Sequence, residues 1–152
     1  MERGMTRFRA FLLCGVVLVA SACASKRSSD PVFLTPYGPP VNPFSPAVRV
    51  GDILYLAGQI GTHSTGAVVK GGIEAETRQT MRNIADVLQK TGSSMDRVVK
   101  CTAFLADMKE WPAMNGVYAT FFPTNKPARS ALGATALALN ARVEIECIAV
   151  VK

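Results

Sequence analysis

The chain has 152 residues, enough for a single domain with additional segments at its ends. Hydrophobic residues make up 49% of the chain and charged residues 18%, and this composition excludes an intrinsically disordered protein. The formal net charge is +6, but after residue 22 the densest basic cluster is only Lys26-Arg27. A nucleic acid requires a clustered basic face, so we predict no nucleic-acid partner.

The first 22 residues have the pattern of a secretory signal peptide. A basic segment with Arg3, Arg7 and Arg9 precedes an uninterrupted apolar run over residues 11–20, and the small residues 20–22 follow. The run is shorter than the roughly 20 residues that a membrane-spanning helix needs. Cys23 comes next, and this arrangement resembles a bacterial lipobox, in which the cysteine is lipidated and becomes the mature N-terminus.

This pattern predicts an exported bacterial protein, either free in the periplasm or anchored to a membrane as a lipoprotein. In the lipoprotein case, the lipidated Cys23 would be the only attachment to a membrane. Two or more acyl chains hold a protein at a membrane stably, whereas a single chain does so only marginally. Cleavage by an ordinary signal peptidase at the same place is the alternative. We therefore divide the chain into a signal peptide (1–22), a tether rich in Ser, Pro and Asn (23–46) and a folded domain (47–152).

The folded part alternates between strand and helix patterns. β-Branched and apolar runs predict strands, and apolar residues spaced three and four apart predict amphipathic helices. In chain order these are two strands around a Gly51-Asp52 turn, a helix over 73–90, a strand over 98–105, a helix capped by Asp107, and strands from 128 and from 142. This order predicts an α+β domain with a mixed sheet and two helices on one face. Nothing in the chain would cover the other face, so we predict oligomerisation.

Cys101 and Cys147 are the two cysteines of the folded part. Both lie in apolar runs, and no Cys/His spacing typical of a zinc site occurs, so we predict no metal. The two thiols would be able to pair in an oxidising compartment. We expect instead that they stay free and pack as small hydrophobic groups.

Standard catalytic machinery is absent from the sequence. His63 is the only histidine and lies in a loop without a partner nearby, which favours a solvated side chain. Arg129 follows the rigid Pro127, and its guanidinium is suited to bind a carboxylate. Glu144 lies in a strand in which apolar and charged residues alternate. From the pattern alone, solvent exposure is the default expectation for both Arg129 and Glu144. The residues alone therefore predict an α+β domain with a candidate anion site.

Several sequence blocks share their order and spacing with one known family. They are PFSPAVRVGD (43–52), LAGQI (56–60), TRQ (77–79), NI (83–84), VKCT (99–102), NGVY (115–118), FFP (121–123), PARS (127–130) and VEIECIAV (143–150). From about residue 43 to the C-terminus, the chain resembles the Rid family of reactive intermediate deaminases, also called the YjgF family.

The resemblance implies a chorismate-mutase-like α+β fold assembled as a homotrimer with clefts between subunits. Family members with deaminase activity hydrolyse 2-imino acids, the tautomers of reactive enamines, to 2-oxo acids and ammonia, without a metal or an organic cofactor. The family's carboxylate-binding arginine corresponds to Arg129, and its water-positioning glutamate corresponds to Glu144. Further substrate-binding positions fall on Phe44, Ala57 and Gly58.

Two of these positions differ from the family's best-known deaminases, which have Tyr where this chain has Phe44 and Ser where it has Ala57. The resemblance predicts an exported hydrolase of the 2-iminobutanoate/2-iminopropanoate deaminase type that acts on a small 2-imino acid. The alternative is a non-catalytic trimer of the same fold that binds a small carboxylate metabolite, which the loss of two hydroxyls would favour. Ribonuclease activity, also associated with the family name, is disfavoured because the chain lacks a basic stripe.

Overall fold

The computed structural model describes residues 30–151. The predicted signal peptide and the predicted lipidation at Cys23 therefore lie outside the described residues. In chain order the elements are β1 (Val32–Leu34), β2 (Ala47–Val50), β3 (Ile53–Leu56), β4 (Gln59–Ile60), α1 (Gly72–Lys90), β5 (Val98–Leu105), α2 (Trp111–Thr120), β6 (Ala128–Gly133) and β7 (Val143–Val150). Short 3-10 turns occur at Met95–Arg97, Met108–Glu110 and Ala138–Asn140.

The strands form one mixed sheet in the order β1-β2-β3-β7-β5-β6, and the short β4 also pairs with β7. Only β5 and β6 run parallel, and the other pairings are antiparallel. Parallel neighbours need a crossover connection, which α2 provides between β5 and β6. The predicted α+β fold with a mixed sheet and two helices is confirmed.

The hydrophobic core lies between the helices and one face of the sheet. In β7 the side chains alternate, so that Val143, Ile145, Cys147 and Ala149 are buried while the residues between them are not. The sequence pattern of α1 behaves as predicted, because Thr77, Met81, Ile84 and Leu88 are all buried. Both helices contribute to this single core, which leaves the other face of the sheet without a covering element among residues 30–151.

Residues 32–34, which we placed in the predicted tether, form strand β1. Its three residues pair antiparallel with β2, with Phe33 opposite Val48. The surrounding prolines and serines dominate the composition of this segment and hide a three-residue apolar strand. Strand β1 therefore belongs to the same sheet as the strands of the predicted domain.

Cys101 and Cys147 form a disulfide between β5 and β7. The expectation of two free thiols is therefore wrong. The two residues stand directly opposite each other in the antiparallel pair, with Cα atoms 4.1 Å apart. This spacing belongs to the closer type of antiparallel pair, whose side chains approach each other most nearly. Their separation of 46 positions in the sequence gave no indication of this register.

The face of the sheet opposite the helices carries a mixture of apolar and charged side chains. Tyr55 and Ile148 are neighbours there, as are Thr102 and Glu146. Tyr55 remains 47% exposed, and none of the elements within residues 30–151 packs over this face.

No helix within residues 30–151 is long and apolar enough to cross a membrane.

Candidate functional site

Arg129 lies on the edge strand β6, and its side chain faces α2. Its Nη2 donates a hydrogen bond of 2.7 Å to the amide oxygen of Asn115. The guanidinium carbon lies 4.5 Å from the ring centre of Tyr118 and 5.7 Å from that of Trp111. Helix α2 therefore fixes the cation through one neutral amide and two aromatic rings. No ion pair within residues 30–151 consumes its charge.

Tyr118 forms the buried base of this arrangement, since only 6% of its surface is exposed. Burial raises the pKa of Tyr118 to about 12, although the charge of Arg129 acts in the opposite direction. The phenol therefore stays protonated near neutral pH. Its hydroxyl has no hydrogen-bond partner among the described residues, which leaves an unmet polar requirement beside Arg129.

A cleft of about 310 Å³ opens beside Arg129. It is lined by Asn115, Tyr118, Ala119, Phe122, Lys126, Pro127 and Arg129. The lining contains two cations and no acidic residue. The volume lies at the lower end of the range of about 300–1,000 Å³ that is usual for small-molecule sites. Size and charge therefore suit a small anion.

Glu144 lies near the start of β7 on the face of the sheet opposite the helices. It stands opposite Phe104 of β5 and Ile60 of β4. A Cβ atom on Gly58 would overlap the Oε1 atom of Glu144. Only glycine therefore fits at position 58 with the carboxylate in this place.

The start of β7 is fixed by two further contacts. The buried carboxylate of Glu76 in α1 accepts a hydrogen bond of 2.7 Å from the backbone N–H of Arg142. The side chain of Arg142 donates to Glu110 at the beginning of α2. Glu144 is only two residues further along, so its strand is anchored to both helices.

Phe44 and Ala57 lie at the same end of the sheet as Gly58 and Glu144. The backbone N–H of Ala57 donates to the carbonyl of Pro46 over 3.0 Å, which brings the segment before β2 next to the Ala57-Gly58 pair. Phe44 is two residues from this contact and 53% of its surface is exposed. The structure thus brings Ala57, Gly58 and Glu144 into one region, and Phe44 lies two residues along the chain from it.

Arg129 and Glu144 do not meet within one chain. Arg129 pairs in register with Cys101, whose side chain points toward the helices. Glu144 pairs with Phe104 and points to the opposite face. The two predicted catalytic side chains therefore belong to opposite faces of the same sheet.

From the sequence we assigned no functional role to Trp111, Asn115, Tyr118 or Lys126. A usable signal was present, because Trp111, Asn115 and Tyr118 follow spacings of four and three and share a helix face. His63, in contrast, lies exposed on a separate polar groove with Gln59 and Asn83. Among residues 30–151 no group of three or more metal-ligating side chains occurs.

The fold and this cleft define a class of protein: an α+β domain with a mixed sheet and a cationic cleft whose size and charge suit a small anion. A sequence model of the family described as Endoribonuclease L-PSP matches residues 36–151. The chain belongs to this family, which is the Rid/YjgF (L-PSP) family.

Individual relatives support the same assignment. The chain is 42% identical to a 2-iminobutanoate/2-iminopropanoate deaminase of Dermatophagoides farinae over 123 residues, which cover 80% of this chain and 96% of the relative. It is similar to the crystal structure of yeast Mmf1, with a TM-score of 0.75, 38% identity, and coverage of 81% and 100%. It is also similar to E. coli TdcF with bound serine, with a TM-score of 0.71, 26% identity, and coverage of 80% and 98%.

Proposed function

We propose that this protein hydrolyses small 2-imino acids to 2-oxo acids and ammonia. The observation that carries this proposal is Arg129, a cation held in a small cleft by neutral groups, with no carboxylate in the lining. Such a group is suited to grip the carboxylate of a metabolite. The similarity to a 2-iminobutanoate/2-iminopropanoate deaminase and to a serine-bound structure agrees with a small amino-acid-like ligand.

The reaction needs only positioning and proton transfer. Arg129 binds the carboxylate and so fixes C2 of the imine, while Glu144 holds a water molecule and takes its proton as the oxygen attacks C2. The resulting tetrahedral intermediate carries a hydroxyl and an amino group on C2. Glu144 returns the proton to nitrogen, the C–N bond breaks and ammonia leaves. The C2 hydroxyl gives its proton to the freed Glu144 carboxylate and becomes the carbonyl of the 2-oxo acid, and Glu144 then passes this proton to the departing ammonia or to solvent. The protonated imine is already electrophilic, so neither a cofactor nor a covalent nucleophile is required.

We further propose that the active protein is a homotrimer with sites between subunits. Arg129 and Glu144 point to opposite faces of one sheet, so a complete site needs Arg129 from one subunit and Glu144 from its neighbour. The open face of the sheet supports this assembly, since its partly exposed apolar residues lack a covering element within residues 30–151. Phe44, Ala57 and Gly58 would enter each site together with Glu144.

The proposed location is outside the cytoplasm, in the bacterial periplasm or on a membrane through lipidated Cys23. The Cys101–Cys147 disulfide supports this proposal, because thiols stay reduced in the cytosol of most organisms. The signal-like sequence over residues 1–22 points in the same direction.

The direct test generates 2-iminopropanoate or 2-iminobutanoate in situ with an amino-acid oxidase and measures how far the protein suppresses semicarbazide trapping. We expect the native protein to suppress trapping and Arg129→Ala and Glu144→Gln to lose this effect. The matched controls are Arg82→Ala and Glu74→Gln, both on the exposed side of α1, which should both retain it. Absence of suppression by the native protein with either substrate would reject the deaminase proposal.

The same variants test a non-catalytic binding function. Phe44 and Ala57 offer no side-chain hydroxyl, which favours ligand binding without turnover. In that case the native protein would bind 2-oxobutanoate in calorimetry without accelerating imine hydrolysis. Arg129→Ala would abolish this binding, whereas Glu144→Gln would leave it largely intact.

A further inference from the structure

We propose that Lys126 extends the Arg129 cleft into a site for two negative charges, so that the preferred substrates are 2-imino dicarboxylates. This inference rests on the proposed function and specifies its substrate class. Arg129 binds the carboxylate next to the imine carbon, and Lys126 binds an acidic group at the other end of the substrate.

The position of Lys126 follows from the chain that enters β6. Lys126 and Arg129 line the same cleft and are separated in sequence by only Pro127 and Ala128. The proline ring fixes its own φ and restricts the residue before it, so the backbone carrying Lys126 is more rigid than an ordinary loop. Lys126 makes no ion pair with any residue in the range 30–151, so its ammonium group is available to a ligand.

The charges that line the cleft favour a ligand with two negative charges over a ligand with one. The lining holds two cations, one neutral amide and otherwise aromatic, aliphatic and proline side chains, without an acidic residue. A substrate with a single carboxylate would neutralise Arg129 and leave Lys126 uncompensated. A second carboxylate would match the remaining charge, which is the kind of complementarity that sets specificity. The volume of about 310 Å³ restricts the choice to small compounds.

The test compares two imines of nearly equal size and shape that differ in charge. Oxidation of aspartate gives 2-iminosuccinate, and oxidation of asparagine gives the corresponding amide. Semicarbazide trapping then yields kcat/KM for each imine with the native protein, Lys126→Met, Lys126→Arg and the control Lys70→Met, an exposed lysine that does not line the cleft. Calorimetry with succinate and succinamate measures the same preference without any catalytic step.

We expect the native protein to prefer the dicarboxylate about fivefold or more in both kcat/KM and affinity, a size typical of a charged contact at a partly exposed site. Lys126→Met should abolish the preference, whereas Lys126→Arg and Lys70→Met should keep it. Two results would overturn the inference. One is that the native protein shows equal kcat/KM and equal affinity for the dicarboxylate and its amide, and the other is that the preference survives Lys126→Met. Should no imine be hydrolysed while succinate still binds in a Lys126-dependent way, the deaminase proposal fails and the two-charge site stands.

Discussion

The opposed orientation of Arg129 and Glu144 leads to a quantitative prediction for mixed oligomers. Arg129→Ala and Glu144→Gln subunits should each be nearly inactive, with about 1% or less of native activity, because each lacks one half of every site. When equal amounts of the two are dissociated and reassembled at random, each site takes its arginine from one subunit and its glutamate from the next. The arginine donor is intact in half of the cases and so is the glutamate donor. About one quarter of native activity should therefore return, whatever the size of the ring.

The assay is semicarbazide trapping on co-expressed or co-refolded mixtures at equal total protein concentration. The control mixes Arg129→Ala with the Arg129→Ala/Glu144→Gln double variant, in which no subunit supplies the arginine and no site can recover. A reassembled 1:1 mixture no more active than its parents would refute the shared site. It would show that Arg129 and Glu144 act within one chain or do not act together.

Three further predictions concern the stability of the fold and the geometry of the site. Reduction of the Cys101–Cys147 disulfide, which spans 46 positions, should lower the free energy of unfolding by about 4 kcal/mol from the loop-entropy relation. Urea unfolding at fixed protein concentration measures this loss of stability. The control is the Cys101→Ala/Cys147→Ala double variant, whose stability a reductant should not affect. Equal unfolding midpoints for the oxidised and reduced native protein would contradict the prediction. Gly58→Ala should lower kcat about 10- to 100-fold while the domain still folds, because the new Cβ atom displaces the Glu144 carboxylate. An unchanged kcat would contradict the close packing of Gly58 against Glu144. The pKa of Asp86 lies below its usual 3.8, mainly because Lys90 donates hydrogen bonds to it, so its contribution is present above that value and disappears as the pH falls through the lowered pKa. Asp86→Asn should therefore cost about 0.5 kcal/mol or less at pH 7 in urea unfolding, and this cost should shrink as the pH falls through the lowered pKa. A cost that does not change with pH would contradict the assignment.

Much of the fold was predictable because its signals are local. The helix expected over residues 73–90 occurs as α1 at Gly72–Lys90, and the strand expected over 98–105 occurs as β5 with the same bounds. Each shows its own periodicity of buried residues, which needs no knowledge of the rest of the chain. β1 was missed, since its pairing partner lies in β2 and three residues are too few for a pattern.

The prediction that the two cysteines stay free was wrong for a related reason. Cys101 and Cys147 each look like ordinary apolar strand residues, and their pairing depends on the register of β5 against β7. Register arises from the packing of the whole sheet, which neither strand reveals alone. The same limit applies to the site, because the proximity of Asn115 to Arg129 is set by how α2 crosses from β5 to β6.

Each half of the candidate site is already ordered within a single chain. On one side α2 fixes Arg129 through Asn115 and Tyr118. On the other side Gly58 leaves room for the carboxylate of Glu144, and Glu76 anchors the strand that carries it. Assembly would therefore have to bring together two rigid surfaces and order few additional side chains, which keeps the entropic cost of forming the site low. Because the two halves lie on different faces, the proposed roles are separable. A change near Arg129, such as one at Lys126, should alter which substrate binds without disturbing Glu144, the proposed water-binding group.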